Sequence, residues 1–304
     1  MKSSIVKNIL FITSTRLGDA VISTGILNHL LQTYPTAEFT IACGSVASGI
    51  FERMPRCKQV LIMEKQRYDL HWFTLWKQCV LQSWDLIVDL RGSAISYVLW
   101  AKKRVVIRGG RIKEKRVEYL ARAFHLQPAP LPVMWIDQED RALAECYLPN
   151  NTYIALAPTA NWAGKVWDVN RFIKLAHRIQ TLFPNSQFAV FYGPGQQEYE
   201  MASPLLNADL PIIDVGGNFT LAQVAAMFSQ CKAFVGNDSG LMHLAAACGI
   251  PVLGLFGPSQ VSEYAPAGKK ATAVVADGEK GKASMNALSV DKVFVVFKTL
   301  FEER

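Results

Sequence analysis

No apolar run in this sequence approaches the ~20 residues that cross a bilayer as a helix. No two cysteines form a CxxC pair, and no Asp-x-Asp triplet occurs. The first absence excludes a hydrophobic helical span. The six cysteines (Cys43, Cys57, Cys79, Cys146, Cys231, Cys248) are scattered, with no histidine at ligand spacing. They read as reduced core thiols, not as a disulfide framework or a zinc site. Asp-x-Asp is a pattern that often holds a divalent metal against a diphosphate, so no catalytic metal and no cofactor are expected. A leader peptide is also missing from the reading. Lys2 and Lys7 precede an apolar run, but Ile9 to Ile12 is shorter than the ~7–15 residues of a signal core, and no small-residue cleavage site follows. The run fits a first β-strand, and the expected location is the cytoplasm.

What is present is a folded, mildly basic chain. At 304 residues it exceeds one ordinary core and suggests two domains. The formal charge is +7, and it is concentrated. Between Leu99 and Arg122 lie nine basic residues (Lys102, Lys103, Arg104, Arg108, Arg111, Lys113, Lys115, Arg116, Arg122) against Glu114 and Glu118. Such a run is either a solvated helix face or a seat for an anionic partner: nucleic acid, an anionic membrane surface, or an anionic substrate.

Apolar, β-branched stretches alternate with amphipathic ones along the whole chain. Strands are expected at Asn8–Thr13, Glu38–Ala42, Val60–Met63, Leu86–Leu90 and Val105–Ile107. A second set follows at Tyr153–Ala157, Gln187–Tyr192, Ile212–Val215, Ala233–Gly236, Pro251–Phe256 and Ala271–Val275. Helical patterns lie between them, among them Asp19–Thr33, Asp69–Gln82, Val169–Phe183, Leu221–Gln230, Gly240–Cys248 and a last one at Val290–Phe301. This alternation predicts parallel sheets of βαβ units. The break falls between the proline-rich QPAPLPV at Gln127 and Asn151, giving domains 1–150 and 151–304. The final helix is expected to reach back toward the first domain. Ligands of open α/β sheets bind beyond the carboxyl ends of the strands, so two such domains imply a cleft with one substrate on each side.

The strand-to-helix turns carry the candidate chemistry. Gly236-Asn237-Asp238-Ser239-Gly240 follows an apolar strand and opens a helix, which aims backbone N–H groups and a positive dipole end at one spot suited to phosphate. The alternative is a tight turn and nothing more. His243 lies on the same helix, one turn in, either as a core histidine or as a ligand contact. Arg16-Leu17-Gly18-Asp19 follows the first strand. Asp19 is either a helix cap or a carboxylate able to take a proton from an attacking hydroxyl. Lys165, between Trp162 and Trp167 in the loop after Ala157, is a surface lysine or a point charge for phosphate. Gly193-Pro194-Gly195 begins a G-x-G-x-x-G pattern that position 198 breaks with Glu, so it reads as a turn and helix start with room for an adenine or ribose contact. Arg91, after Asp89, reaches an acidic acceptor or a neighbouring carboxylate.

Taken together, Gly236–Gly240, His243, Phe256-Gly257-Pro258, Arg16–Asp19 and Lys165-x-Trp167 resemble, in this order and over nearly the whole chain, the bacterial ADP-heptose:lipopolysaccharide heptosyltransferases, glycosyltransferase family 9. The resemblance implies a GT-B fold, in which two Rossmann-like domains face a central cleft, the N-terminal one for the acceptor and the C-terminal one for the nucleotide sugar. It implies inverting, metal-independent transfer, with Asp19 as the base and Lys165 on the diphosphate. It places Thr159, Ala160, Asn161, Lys165, Asp238, Ser239, Gly240 and His243 around the donor. Gln197 and Glu198 stand where the family often carries a ribose-holding acid. Arg16, Gly18, Arg91, Arg108 and Arg111 are expected on the acceptor side.

The function expected from both lines is transfer of heptose from ADP-heptose to an anionic lipopolysaccharide precursor, by an enzyme at the cytoplasmic face of the inner membrane, with no nucleic acid involved. Two competitors remain. One is a nucleotide-sugar epimerase or hydrolase on a GT-B scaffold, which leaves the basic run unexplained. The other is a non-catalytic module binding nucleotide or nucleic acid, whose basic run lacks the interleaved aromatics of a stacking surface.

Overall fold

The computed structural model describes residues 6–107, 114–150 and 152–302. They form two compact units, Met1–Trp135 and Ile136–Arg304, and each is built on one parallel sheet.

In the first unit the elements are β1 (Asn8–Ile12), α1 (Leu17–Thr33), β2 (Glu38–Cys43), α2 (Ser45–Ser48), β3 (Cys57–Ile62), α3 (His71–Cys79), β4 (Trp84–Asp89), α4 (Ile95–Val98), β5 (Ala101–Val106) and α5 (Arg116–Ala123). The sheet order is β3-β2-β1-β4-β5, and every pairing is parallel. Strand β1 is buried along Ile9–Ile12 and β2 along Phe39–Cys43, the continuous apolar reading of strands covered on both faces. The chain leaves β1 for β2 on one side and returns to β4 on the other. The switch point therefore lies at the carboxyl ends of β1 and β4, where Ile12 and Asp89 are paired.

After α5 the chain runs back along α1. The Val133 amide donates to Thr24 Oγ1 at 2.9 Å. A Cβ on Gly25 would lie 2.4 Å from the Pro130 carbonyl oxygen and 2.9 Å from that of Leu131. Both obstacles are backbone, so neither swings aside. Gly25→Ala should lower stability by about 1–3 kcal/mol, read as a shifted urea midpoint at unchanged slope.

The second unit contains α6 (Gln138–Tyr147), β6 (Tyr153–Ala157), α7 (Val169–Leu182), β7 (Gln187–Val190), α8 (Gln196–Leu206), β8 (Ile212–Asp214), α9 (Leu221–Ser229), β9 (Cys231–Asn237), α10 (Gly240–Ala247), β10 (Val252–Phe256), α11 (Val261–Tyr264), β11 (Ala271–Val275) and α12 (Val290–Glu302). Its sheet runs β11-β10-β9-β6-β7-β8, again parallel. Here the switch point lies between β6 and β9, with Ala157 paired to Gly236.

Four expectations need correction. First, α6 packs on α9 and belongs to the second unit, whereas the proline-rich stretch suggested a boundary at 150. A reciprocal capping box between Asp137 and Asp140 starts this helix just after the prolines. Second, β3 and β5 begin at Cys57 and Ala101, ahead of the expected Val60 and Val105; in the second unit α12 packs on α7, β10 and β11, with Phe297 and Val293 buried. Third, the helix expected from Asp69 starts at His71, because Tyr68 and Asp69 adopt positive φ. Fourth, Cys146 is exposed and Cys57 and Cys248 are half-buried, so three of the six cysteines, Cys43, Cys79 and Cys231, are buried. Burial pushes the Cys43 and Cys79 thiols up to about 12.

Candidate active site

The second unit assembles its site from the two strands at the switch point. At the end of β9, Asn237 is fully buried. Its Oδ1 accepts from the Trp167 amide at 3.0 Å, and its Nδ2 donates to the Pro158 carbonyl at 2.8 Å. One side-chain amide therefore ties both ends of the loop after β6 to the tip of β9. Trp167 is itself fully buried and donates its Nε1 to the Leu288 carbonyl at 2.8 Å, which fixes the far end of the loop. Trp162, by contrast, is exposed, so the two tryptophans differ in role. Asn237 was visible in the sequence only as part of a turn. A polar residue closing an apolar strand is the signal for its stapling role.

Lys165 lies at the end of a short 3₁₀ turn, Ala163–Lys165. Its Nζ donates to Asp238 Oδ2 at 2.6 Å. Asp238 is only 5% exposed and Lys165 about a quarter. The pair brings together two residues that are 73 positions apart in the chain and were expected on the same ligand. Immediately after Asp238, Ser239 takes an extended N-cap conformation for α10 and makes no side-chain cap hydrogen bond. Its Oγ is buried without a partner. The first amides of α10 thus carry the positive end of the helix dipole. The carboxylate beside them is balanced by Lys165, so it does not cancel their pull on an anion. An ammonium has three donors, and Asp238 takes one. Helix α10 approaches β10 closely because Gly254 has no side chain: a Cβ there would lie 2.5 Å from Met242 Sδ.

The remaining donor-side candidates fall around this centre unevenly. Gly240 is the first residue of α10 and His243 is buried within it. Thr159 and Ala160 are buried, and Asn161 is exposed. Gln197 is exposed at the start of α8. Glu198 turns back to accept the Gly193 amide at 3.2 Å, leaving its other oxygen uninvolved in that bond. Gly195 precedes α8 with φ of +104°, a conformation natural to glycine. Tyr192 donates to Asp214 Oδ2 at 3.1 Å. Desolvation, and then that carboxylate, pushes the phenol up to about 12, so it stays a donor near neutral pH.

The first unit presents its own set at the ends of β1 and β4. Arg16 is the N-cap of α1, without a side-chain cap bond, and Asp19 sits in the first turn. Asp19 and Gly18 are half-buried and Arg16 is exposed. Asp19 is therefore not the N-cap residue but the third residue of the helix, where a carboxylate still faces the positive end of the dipole. At the end of β4, Asp89 is fully buried and accepts from the amides of Arg91 and Ser93 at 2.8 Å each. Arg91 makes its carboxylate contact through the backbone amide. Its guanidinium lies 5.3 Å over the Trp72 ring, with Nη1 buried and unpartnered.

The basic run does not form a uniformly free face. Lys102 pairs with Asp85 at 2.6 Å and holds that carboxyl below its ordinary range. Arg104 donates to the Ser96 and Leu99 carbonyls at 2.7 Å each. Arg122 pairs with Glu114 at 2.6 Å. Arg108 and Arg111 lie outside the described residues. Among the described residues, no group of three or more His, Cys, Asp or Glu side chains could hold a metal ion, and no helix is long and apolar enough to cross a membrane.

Comparison with known proteins bears on the fold and the family. Lipooligosaccharide heptosyltransferase 2 of Campylobacter jejuni is 24% identical over 270 residues, covering 83% of this chain and 81% of the relative. The crystal structure of a family 9 glycosyltransferase from Veillonella parvula superposes with a TM-score of 0.81 at 19% identity, covering 98% of each chain. Escherichia coli ADP-heptose lps heptosyltransferase II superposes at 0.76 and 21% identity, covering 97% of this chain and 99% of the other. Escherichia coli heptosyltransferase WaaC with ADP gives 0.75 at 17% identity, covering 96% and 99%. The fold is thus the GT-B fold, with two Rossmann-like units. The profile of glycosyltransferase family 9 (heptosyltransferase) matches residues 91–293, two thirds of the sequence. With the paired strand-end sites and this match in hand, the chain belongs to glycosyltransferase family 9, the heptosyltransferases, and is a glycosyltransferase.

Proposed function

We propose that this enzyme transfers a heptose from ADP-heptose to the inner core of a lipopolysaccharide precursor, with inversion and without a metal. The observation that carries the reading is the Lys165–Asp238 pair beside the uncapped start of α10. A pyrophosphate seated there meets a cation and helix amides where its charge grows as it leaves. The names of the relatives support the sugar and the acceptor, and the ADP complex of WaaC supports the nucleotide.

In this reaction the anomeric carbon's bond to the diphosphate breaks, and the electron pair leaves with ADP. The acceptor hydroxyl bonds to the same carbon from the opposite face, and Asp19 takes its proton. Thr159, Ala160, Asn161, Ser239, Gly240 and His243 surround the donor, and Gln197 and Glu198 lie toward its ribose. Arg16, Gly18, Arg91, Arg108 and Arg111 serve the acceptor. Arg91 suits an anionic group, because its buried Nη1 lacks a partner. The first unit takes the acceptor role and the second the donor role. The enzyme works in the cytoplasm, at the inner surface of the inner membrane.

Incubation with ADP-heptose and a lipid A-based acceptor bearing Kdo, followed by mass spectrometry, tests the reading. A product heavier by one heptose is expected. Free heptose released without acceptor would instead indicate a hydrolase.

A further inference from the structure

Strand β5 is an edge of the first sheet, and its side chains alternate between the two faces. Lys103 pairs in register with Leu86 of β4, so these two and Val105 share one face. A cavity of about 340 Å³ lies against that face, between the last turn of α1 and the end of α5. Its walls are apolar or aromatic: Leu30, Tyr34, Leu86, Val105 and Phe124. Its polar groups are Lys103, His29 and Thr33, and no acid borders it. Arg104 also touches the cavity, but its guanidinium is taken up by the Ser96 and Leu99 carbonyls. Lys103 is exposed and makes no ion pair among the described residues, whereas Lys102 beside it is paired with Asp85. The carbonyl end of α1, which would repel an anion, is covered by Arg56. That guanidinium donates to the Leu31 and Tyr34 carbonyls at 2.6 Å each.

We infer that this cavity binds a small amphiphilic anion, with an apolar body against the walls and one carboxylate or sulfonate beside Lys103. Apolar lining with a few polar groups, in a volume above ~300 Å³, is the usual form of a small-molecule site. Each half of the ligand follows from the lining. A bare inorganic anion would leave the apolar walls wet, and a cation would meet Lys103 with no acid to balance it. A lysine ammonium is a point charge on a flexible stem, so it can follow the head of ligands of different length. The site is separate from the strand ends that carry the candidate chemistry. Helix α1 leads from the end of β1 to the start of the parallel β2, and Asp19 and Thr33 stand about 20 Å apart along it. Nothing in this site depends on the proposed reaction.

The test is calorimetric titration of the full chain with octanoate, decanoate and decyltrimethylammonium, each kept below its micelle concentration. Wild type should bind decanoate at a single site, roughly tenfold more tightly than octanoate, because two further methylenes are buried. Decyltrimethylammonium, of the same chain length and opposite charge, should bind roughly tenfold or more weakly than decanoate. Lys103→Glu should weaken decanoate binding roughly tenfold or more and remove the preference for the anion. Thr33→Trp, which sets an indole in the cavity, should abolish binding of both carboxylates. Both positions are exposed, so the urea midpoint should change little. Absence of saturable decanoate binding, equal affinity for the cationic amphiphile, or either variant titrating like wild type would overturn the inference. Failure of heptose transfer with decanoate binding intact would count against the proposed reaction alone.

Discussion

Asp19→Ala is expected to lower the rate of transfer by roughly 10²–10⁴-fold, the usual worth of a positioned general base, while ADP binding stays within about twofold of wild type. The separation follows from where the residue sits. Asp19 lies in the first turn of α1, after β1, whereas Lys165 and Ser239, the groups proposed to seat the phosphates, belong to the second unit. Asp19 is a first-turn acid and not the N-cap, which is Arg16, so the substitution should lower stability by no more than about 1 kcal/mol. Asp19→Asn keeps the shape and removes the proton acceptor, and it should be as slow as the alanine variant. Turnover retained in both variants, measured by single-turnover kinetics with saturating donor, would remove Asp19 from the reaction.

Lys165→Ala should have two effects that a second substitution separates. It leaves the nearly buried Asp238 carboxylate without its 2.6 Å partner, which should cost about 1–3 kcal/mol of stability. It also removes the cation offered to the diphosphate, and ADP affinity should fall roughly ten- to a hundredfold. In Lys165→Ala/Asp238→Ala no uncompensated charge remains, so the urea midpoint should recover most of the loss. Calorimetric ADP affinity should not recover. If affinity returns along with stability, the lysine serves the fold and not the ligand.

Much of this architecture was legible in the residues. The alternation of short apolar strands with amphipathic helices located the inner strands, because doubly covered parallel strands are continuously hydrophobic, but it set the starts of the polar edge strands β3 and β5 too late. The strand ends then pointed to the turns at Asp19, Lys165 and Asp238. The place of α6 was hidden. Helix α6 begins directly after a proline-rich stretch, and a local punctuation signal says nothing of which sheet a helix will join. Only its packing on α9 decides that. The start of α3 was misplaced for a different reason. Asp69 is an ordinary helix-opening residue, but its positive φ, shared with Tyr68, is a backbone state that side-chain periodicity does not report. In the basic run the charges were counted correctly. Their partners were not visible, because Asp85 and the Ser96 and Leu99 carbonyls meet Lys102 and Arg104 only once β5 lies beside β4. At the site, pattern supplied the residue types. It did not supply the arrangement in which Asp238 neutralises Lys165.

The amide of Asn237 has a consequence for how a nucleotide would be received. Because it grips the loop at both Pro158 and the Trp167 amide, the rim beside β9 is held in shape by the protein's own hydrogen bonds. Little conformational entropy is then left to lose on association. Trp162 and the start of α8 face solvent instead, so selectivity among nucleotide sugars would be set there, against a backstop that does not yield.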